Sequence, residues 1–560
     1  MMKIVKYIKN KISYKGVIEF YALFILLATL KLFIIWDNEI LALGQPHDQL
    51  WFINSANHAY WFGTYTQMKY IHLPVFPLFI YFTHFIKVPL RIILELFYIS
   101  SSFYLTYSLI KAGINKWLCP IIFALMIFHP FSMRLFNHTL GETFYSPLII
   151  FSIANLIMLW VYKPEKYSLF LSILTGLSFA LLWHTRDENI LITAMFIFIF
   201  IILLINLFLK KINKKEFFNL TKKIILIPTV CIVLSAIFIN SANFLAFGIF
   251  APTELQGPGY KSAYTALSKI KPEKIIRFIP VTTETREKAY AISPAFRQLK
   301  PFLEDHSNLG FYFTRNTQRI DDEMAAGWFY WTLKEAVYQA GYKTAVTAEA
   351  FYRQVAKDID LAIKEGSIES RPVFLNFVDP YFYKFLSYLP ESFLKISRLF
   401  FDTQELPKEN DTLGLPKTII TSVDEITNRR HDNINQNSTE ISQGWLSMVR
   451  SNIQSNIWKI YGKILFCLTI LALFFLIIFI LTRKYEKSEN LVIITLIILF
   501  LVFTRVMLFS ILDIDSWDGA QPRYIFPVMP LYSTALIIII FLGAKGLGTW
   551  IKAKRINKIS

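Results

Sequence analysis

Long runs of apolar residues separated by short polar stretches recur along this chain. Measured against the roughly 20 residues needed to cross a hydrocarbon core, they predict about ten transmembrane helices. The windows fall near 17–36, 89–110, 117–133, 144–162, 167–184, 189–209, 224–248, 458–481, 490–512 and 524–544. Between the seventh and eighth windows the pattern changes. Residues 250–457 are less apolar, hold most of the acids, and show helical rather than continuous hydrophobicity. The run 321–340 opens on Asp321 and Asp322 and stops at Gly341, and 344–365 repeats Phe351, Val355, Ile359 and Ile363 at four-residue spacing. Both read as helices of a mostly helical domain. Residues 381–401 read as a helix lying on a surface. The polar stretch 402–437 reads as a long loop serving as a cover.

The expected fold class is therefore an all-α polytopic membrane protein. Residues 1–249 form a seven-span module, 250–457 a soluble domain, and 458–560 a three-span module. Composition agrees: 54% of the 560 residues are hydrophobic, with 52 Phe and 28 Tyr, too apolar for a soluble chain of this size. The net charge of +18 invites a nucleic-acid reading, but its placement argues otherwise. Lys3, Lys6, Lys9, Lys11 and Lys15 precede the first window. Lys111 and Lys116, then Lys163 and Lys166, then the lysines from Lys210 to Lys223, then Arg483 to Lys487, and finally the tail from Lys545 to Lys558 fall on that same side. This is the positive-inside pattern. It predicts cytoplasmic termini, an extracytoplasmic 250–457 domain, and no nucleic-acid partner. The three cysteines lie inside apolar runs and offer neither a disulfide framework nor a metal site.

On that topology the outer side gathers the chemistry. The stretch 45–77 after the first window holds Asp48 between His47 and Gln49, with no lysine or arginine for twenty residues in either direction except Lys31 and Lys69 at its limits. Two short helices are expected in this loop. One is weakly amphipathic around Leu50, Phe52 and Ile53, and the other starts at Pro74 and runs to Lys87. The next outer turn brings Arg134, His138 and Glu142. The third brings His184, Arg186, Asp187 and Glu188. The last carries Asp513, Asp515, Asp518, Arg523 and Tyr524. Arg523 opens a helix entering the bilayer, where a cation gains nothing from the helix dipole. A guanidinium there suits an anion such as a lipid-linked phosphate. Against this stands the reading in which Asp48 only caps a helix and the histidines are polar boundary residues.

An inside N-terminus, one span, an outer loop with an acid, two surface helices with a "P..P" start, a second outer acid and a late "RY..P..P" resemble GT-C glycosyltransferases. These include protein O-mannosyltransferases and lipid A aminoarabinose transferases. The resemblance covers roughly the first 250 residues and, more weakly, the last span. It implies a cell-envelope transferase whose partners are a polyprenyl-phosphate or pyrophosphate sugar donor, a glycan, lipid or protein acceptor, and membrane lipid. Asp48 would be the acceptor base and Glu142 the second-loop acid. Arg523, with Arg186 and Arg134, would hold the donor phosphate, and His47, His138 and Tyr524 would be accessory. Metal use stays open; a divalent cation would recruit Glu142 or a histidine beside Asp48. Two features depart from the family: Asp48-Gln49 replaces its frequent pair of acids, and the soluble domain interrupts the spans. A transporter or lipid flippase, and an envelope scaffold displaying 250–457, are the competing classes.

Overall fold

The computed structural model describes residues 19–42, 48–161, 165–373, 379–403, 415–430, 444–482, 488–516 and 519–556. Regular structure among them is helical, with only two isolated β-bridges. Seven helices are long and apolar enough to cross a membrane: Leu90–Ala112, Gly141–Val161, Asn189–Phe208, Lys214–Phe247, Trp445–Thr482, Glu489–Asp515 and Pro522–Ile556. Three shorter apolar helices, Val75–Ile86, Lys116–Ile127 and Tyr167–Trp183, join them. Residues 19–34 are also helical, and His47 lies outside the described residues.

The window 117–133 is not one helix. It divides into Cys119–Ile127 and Pro130–Leu135. Pro130 has no N–H to continue the first helix, and His129, in an extended conformation, caps the second through its ring nitrogen. The helices of the membrane module approach closely where side chains are small. A Cβ on Gly543 would strike the carbonyl oxygen of Phe475, which seats Pro522–Ile556 against Trp445–Thr482. Gly176 plays the same part between Tyr167–Trp183 and Cys231 and Pro228 of the neighbouring helix.

The first outer loop contains the two expected helices, Asp48–Asn57 and Val75–Ile86, the second flanked by Pro74 and by Lys87 in a left-handed cap. The segment 402–437 is not simply a loop. Its described part carries the helix Lys417–Ile426, whose buried Ile420, Val423 and Ile426 supply an apolar face. Asn57 donates to Ser422, Asn428 to the carbonyl of His84, and Arg429 to that of Ile40, fixing this helix over the first outer loop. The surface run at 381–401 is a 3-10 turn, Phe382–Tyr388, followed by the helix Leu389–Arg398. In the inserted segment, Ala326–Gln339 and Ala345–Lys364 form as the spacing predicts. They share an apolar core with Pro258–Lys269 in which Ile71 of the first outer loop is also buried. The two halves of the chain thus meet through that loop.

Candidate active site at the outer loops

The loops expected on the outer side converge on a chain of alternating charges. Asp48 stands in the first turn of its helix, where the exposed N–H groups favour a carboxylate. Its Oδ2 lies 3.8 Å from Arg523 Nη1. Arg523 Nε lies 3.9 Å from Glu142 Oε1, and the same oxygen is 2.7 Å from Arg186 Nη1. Arg186 Nε reaches Glu188 Oε1 at 2.7 Å, and Glu188 in turn pairs with Arg505. At the other end His72 Nε2 is 3.8 Å from Asp48 Oδ1. Four separate outer segments and one span therefore supply adjacent members of a single array.

Exposure is greatest at Asp48 and least at Arg505. The Asp48 side chain is 36% exposed, Arg523 and Arg186 are 16% and 18%, Glu142 is 5%, and Arg505 is fully buried. Asp48 is the most exposed of these side chains. The contacts there are also the long ones: Arg523 Nη1 is buried without a hydrogen bond among the described residues, as is His72 Nε2. An unpaired guanidinium donor is costly, and it is the group an incoming anion would satisfy. The rest of Arg523 is held firmly. Its Nε donates to Gln521 at 2.9 Å and its Nη2 to the Tyr524 hydroxyl at 2.8 Å. The Tyr524 ring lies parallel to Phe509 at 4.9 Å and carries Arg523 at 4.7 Å and Arg186 at 5.7 Å over its π system.

Burial opposes the charge of Arg186, but the carboxylates of Glu142 and Glu188 outweigh it and hold the guanidinium protonated well above its ordinary range. His72 behaves oppositely: burial pushes its pKa down despite the attraction of Asp48, so the neutral imidazole faces the carboxylate. His184, drawn down to about 4 by burial, sits 3.1 Å from Ser235 and takes no part in the array.

Of the residues singled out in the sequence, Asp48, Glu142, Arg186, Arg523 and Tyr524 come together. His138 is buried one step away, its Nδ1 3.2 Å from Gln49, whose Oε1 accepts from the Thr139 N–H. It orients the residue beside Asp48. Arg134 stands on the short helix Pro130–Leu135. Asn137, the residue before His138, is also engaged: its Oδ1 accepts from Arg91 at 2.9 Å. Sequence reasoning missed His72 and Arg505. A lone arginine within FLVFTRVMLF was the available signal for Arg505, since an unpaired cation in an apolar helix requires a partner. A second buried set, Lys31 3.5 Å and Arg91 2.7 Å from Glu95, likewise shows that the helices carry more internal charge than their hydropathy suggested. No group of three or more His, Cys, Asp or Glu among the described residues stands close enough to hold a metal ion.

No family model matches the chain, and no curated protein or solved structure matches it.

Proposed function

We propose that this protein is an integral-membrane glycosyltransferase of GT-C type. It moves a sugar from a polyprenyl-phosphate or pyrophosphate donor to an acceptor on the extracytoplasmic face, with about ten spans and both termini in the cytoplasm. The observation that carries the reading is the pairing of a solvent-reachable carboxylate, Asp48, with a guanidinium whose Nη1 is unsatisfied, 3.8 Å away. In the reaction the acceptor oxygen bonds to the anomeric carbon while the bond from that carbon to the phosphate oxygen breaks. Asp48 takes the acceptor proton, and the released lipid phosphate keeps the electron pair. Arg523, backed by Arg186, neutralises the charge growing on that phosphate. Glu142 lies between the two guanidiniums and holds them apart in a fixed geometry. Arg186 and Arg505 flank Glu188 in the same way, which carries the alignment into the span.

The test is Asp48→Asn in the full chain reconstituted in vesicles, supplied with radiolabelled polyprenyl-phosphate hexoses. Transfer falls by about 10²–10⁴, the usual contribution of a positioned base, while donor retention stays at the wild-type level. Turnover that survives the substitution removes Asp48 from the chemistry.

A transporter reading draws on one observation, the buried Glu188–Arg505 pair, with Arg505 about 15 Å along its helix from Asp515 at 1.5 Å per residue. Saturable flux of a lipid-linked sugar without transfer would favour it.

A further inference from the structure

The inserted segment reaches the Asp48 site through one side chain. Trp331, on the helix Ala326–Gln339, packs against two rings of the first outer loop. Its centroid lies 5.3 Å from Trp51 and 5.8 Å from His72, and Trp51 and His72 are 5.5 Å apart. Phe52 backs the imidazole in a stacked arrangement at 4.4 Å. Phe52 and Phe329 are buried, whereas Trp51, His72 and Trp331 each keep an accessible share. The three rings thus keep accessible parts, with Phe52 buried behind the imidazole. Asp48 stands at its edge, 3.8 Å from the unsatisfied Nε2 of His72.

Trp331 is fixed in this position. One turn further on, Lys334 is buried and pairs with Glu254, and its Nζ lies 3.1 Å from the Tyr65 hydroxyl of the first outer loop. Tyr65 itself donates to Glu254 at 2.5 Å, and the Tyr330 hydroxyl donates to the carbonyl of Leu255 at 2.8 Å. A buried ion pair shared between loop and insert ties the tryptophan to the site.

We infer that Trp51, His72 and Trp331 form an aromatic ledge that takes the apolar face of a pyranose ring, so that the inserted domain supplies part of the sugar subsite. This rests on the glycosyltransferase reading. The polarised C–H groups of one pyranose face meet the negative face of an aromatic ring, while the hydroxyls at the ring edge reach a carboxylate. The ledge with Asp48 at its rim offers both. A donor sugar and an acceptor glycan present the same face, and the experiment separates them.

The full chain in lipid nanodiscs is examined by saturation-transfer-difference NMR with methyl gluco-, manno- and galactopyranosides as probes. In the wild type, saturation reaches the C–H protons of one sugar face. Trp331→Phe, which keeps a π face, retains the signal. Trp331→Leu, apolar but without one, loses it about tenfold. Should Trp331→Leu fail to elute as a folded species, Trp51→Leu reads the same ledge. The pyranoside signal is read without donor and reports the ledge, whereas transfer from a lipid-linked donor reports the base, so loss of the ledge and loss of the base are distinguishable. Displacement of the probe by a polyprenyl-phosphate hexose assigns the ledge to the donor sugar, and its persistence assigns the ledge to the acceptor. A wild-type signal in the leucine variant, or no signal for any pyranoside, overturns the proposal.

Discussion

The Glu188–Arg505 pair sets the alignment of everything above it, and its removal is the most quantitative test of the site. Glu188 accepts from Arg505 Nη1, from Arg505 Nη2 at 3.2 Å and from Arg186 Nε at 2.7 Å, with its side chain 6% exposed and that of Arg505 wholly buried. Glu188→Gln keeps the shape and removes the charge. Arg505 then keeps the Tyr524 carbonyl at 2.5 Å and one amide oxygen of the glutamine as acceptors, but no counter-charge at position 188. Two unit charges about 4 Å apart attract by about 4 kcal/mol at an effective dielectric of about 20. Leaving one partner of a buried pair uncompensated costs about 3–5 kcal/mol. Arg186 keeps Glu142 at 2.7 Å, so the uncompensated charge is that of Arg505. The double substitution Glu188→Leu with Arg505→Met exchanges both charges for apolar groups and recovers most of the loss. Equilibrium unfolding in mixed SDS micelles measures all four corners of the cycle. A cost below about 1 kcal/mol for Glu188→Gln, with no coupling between the two positions, would refute the description of a buried, mutually dependent pair.

Two further outcomes follow from individual residues. Burial depresses the His72 pKa below the ordinary 6.5, so the unfolded chain binds the proton first as pH falls. Its stabilising contribution is therefore complete above about pH 6.5 and disappears as pH drops through the lower folded value. His72→Gln should flatten the pH dependence of unfolding in that acidic window, and an unchanged slope would show that His72 is not buried neutral. Gly63 has φ +85°, and a Cβ there would meet the His58 ring, with Cγ at 2.8 Å. Gly63→Ala should destabilise the first outer loop by about 1–3 kcal/mol, read as faster amide exchange across 58–73; unaltered exchange would count against the strained turn.

Periodicity and length made the helices legible. Apolar runs must satisfy their own backbone in lipid and so become helices, and the four-residue repeat in 344–365 has one face to bury. The break at Pro130 was legible too, although a window average across 117–133 smooths over a single proline. The helix Lys417–Ile426 was harder to see. Its polar flanks dominate the composition, and its apolar face gains value only by packing on the first outer loop.

For the site, the sequence by itself determined the inventory: one acid in the first outer loop, acids and arginines in the later ones, and an arginine at the head of the final helix. Local pattern can do this because residue type and distance from an apolar run decide which groups stay near a membrane boundary. Only the tertiary structure decided who meets whom. It joined Asp48 to Arg523 across most of the chain, drew in His72 and Arg505, and brought Trp331 from the inserted segment to the rim. Coulomb attraction and ring packing act over a few ångströms of space and carry no signature of sequence separation, so these neighbours emerge only once the helices are packed.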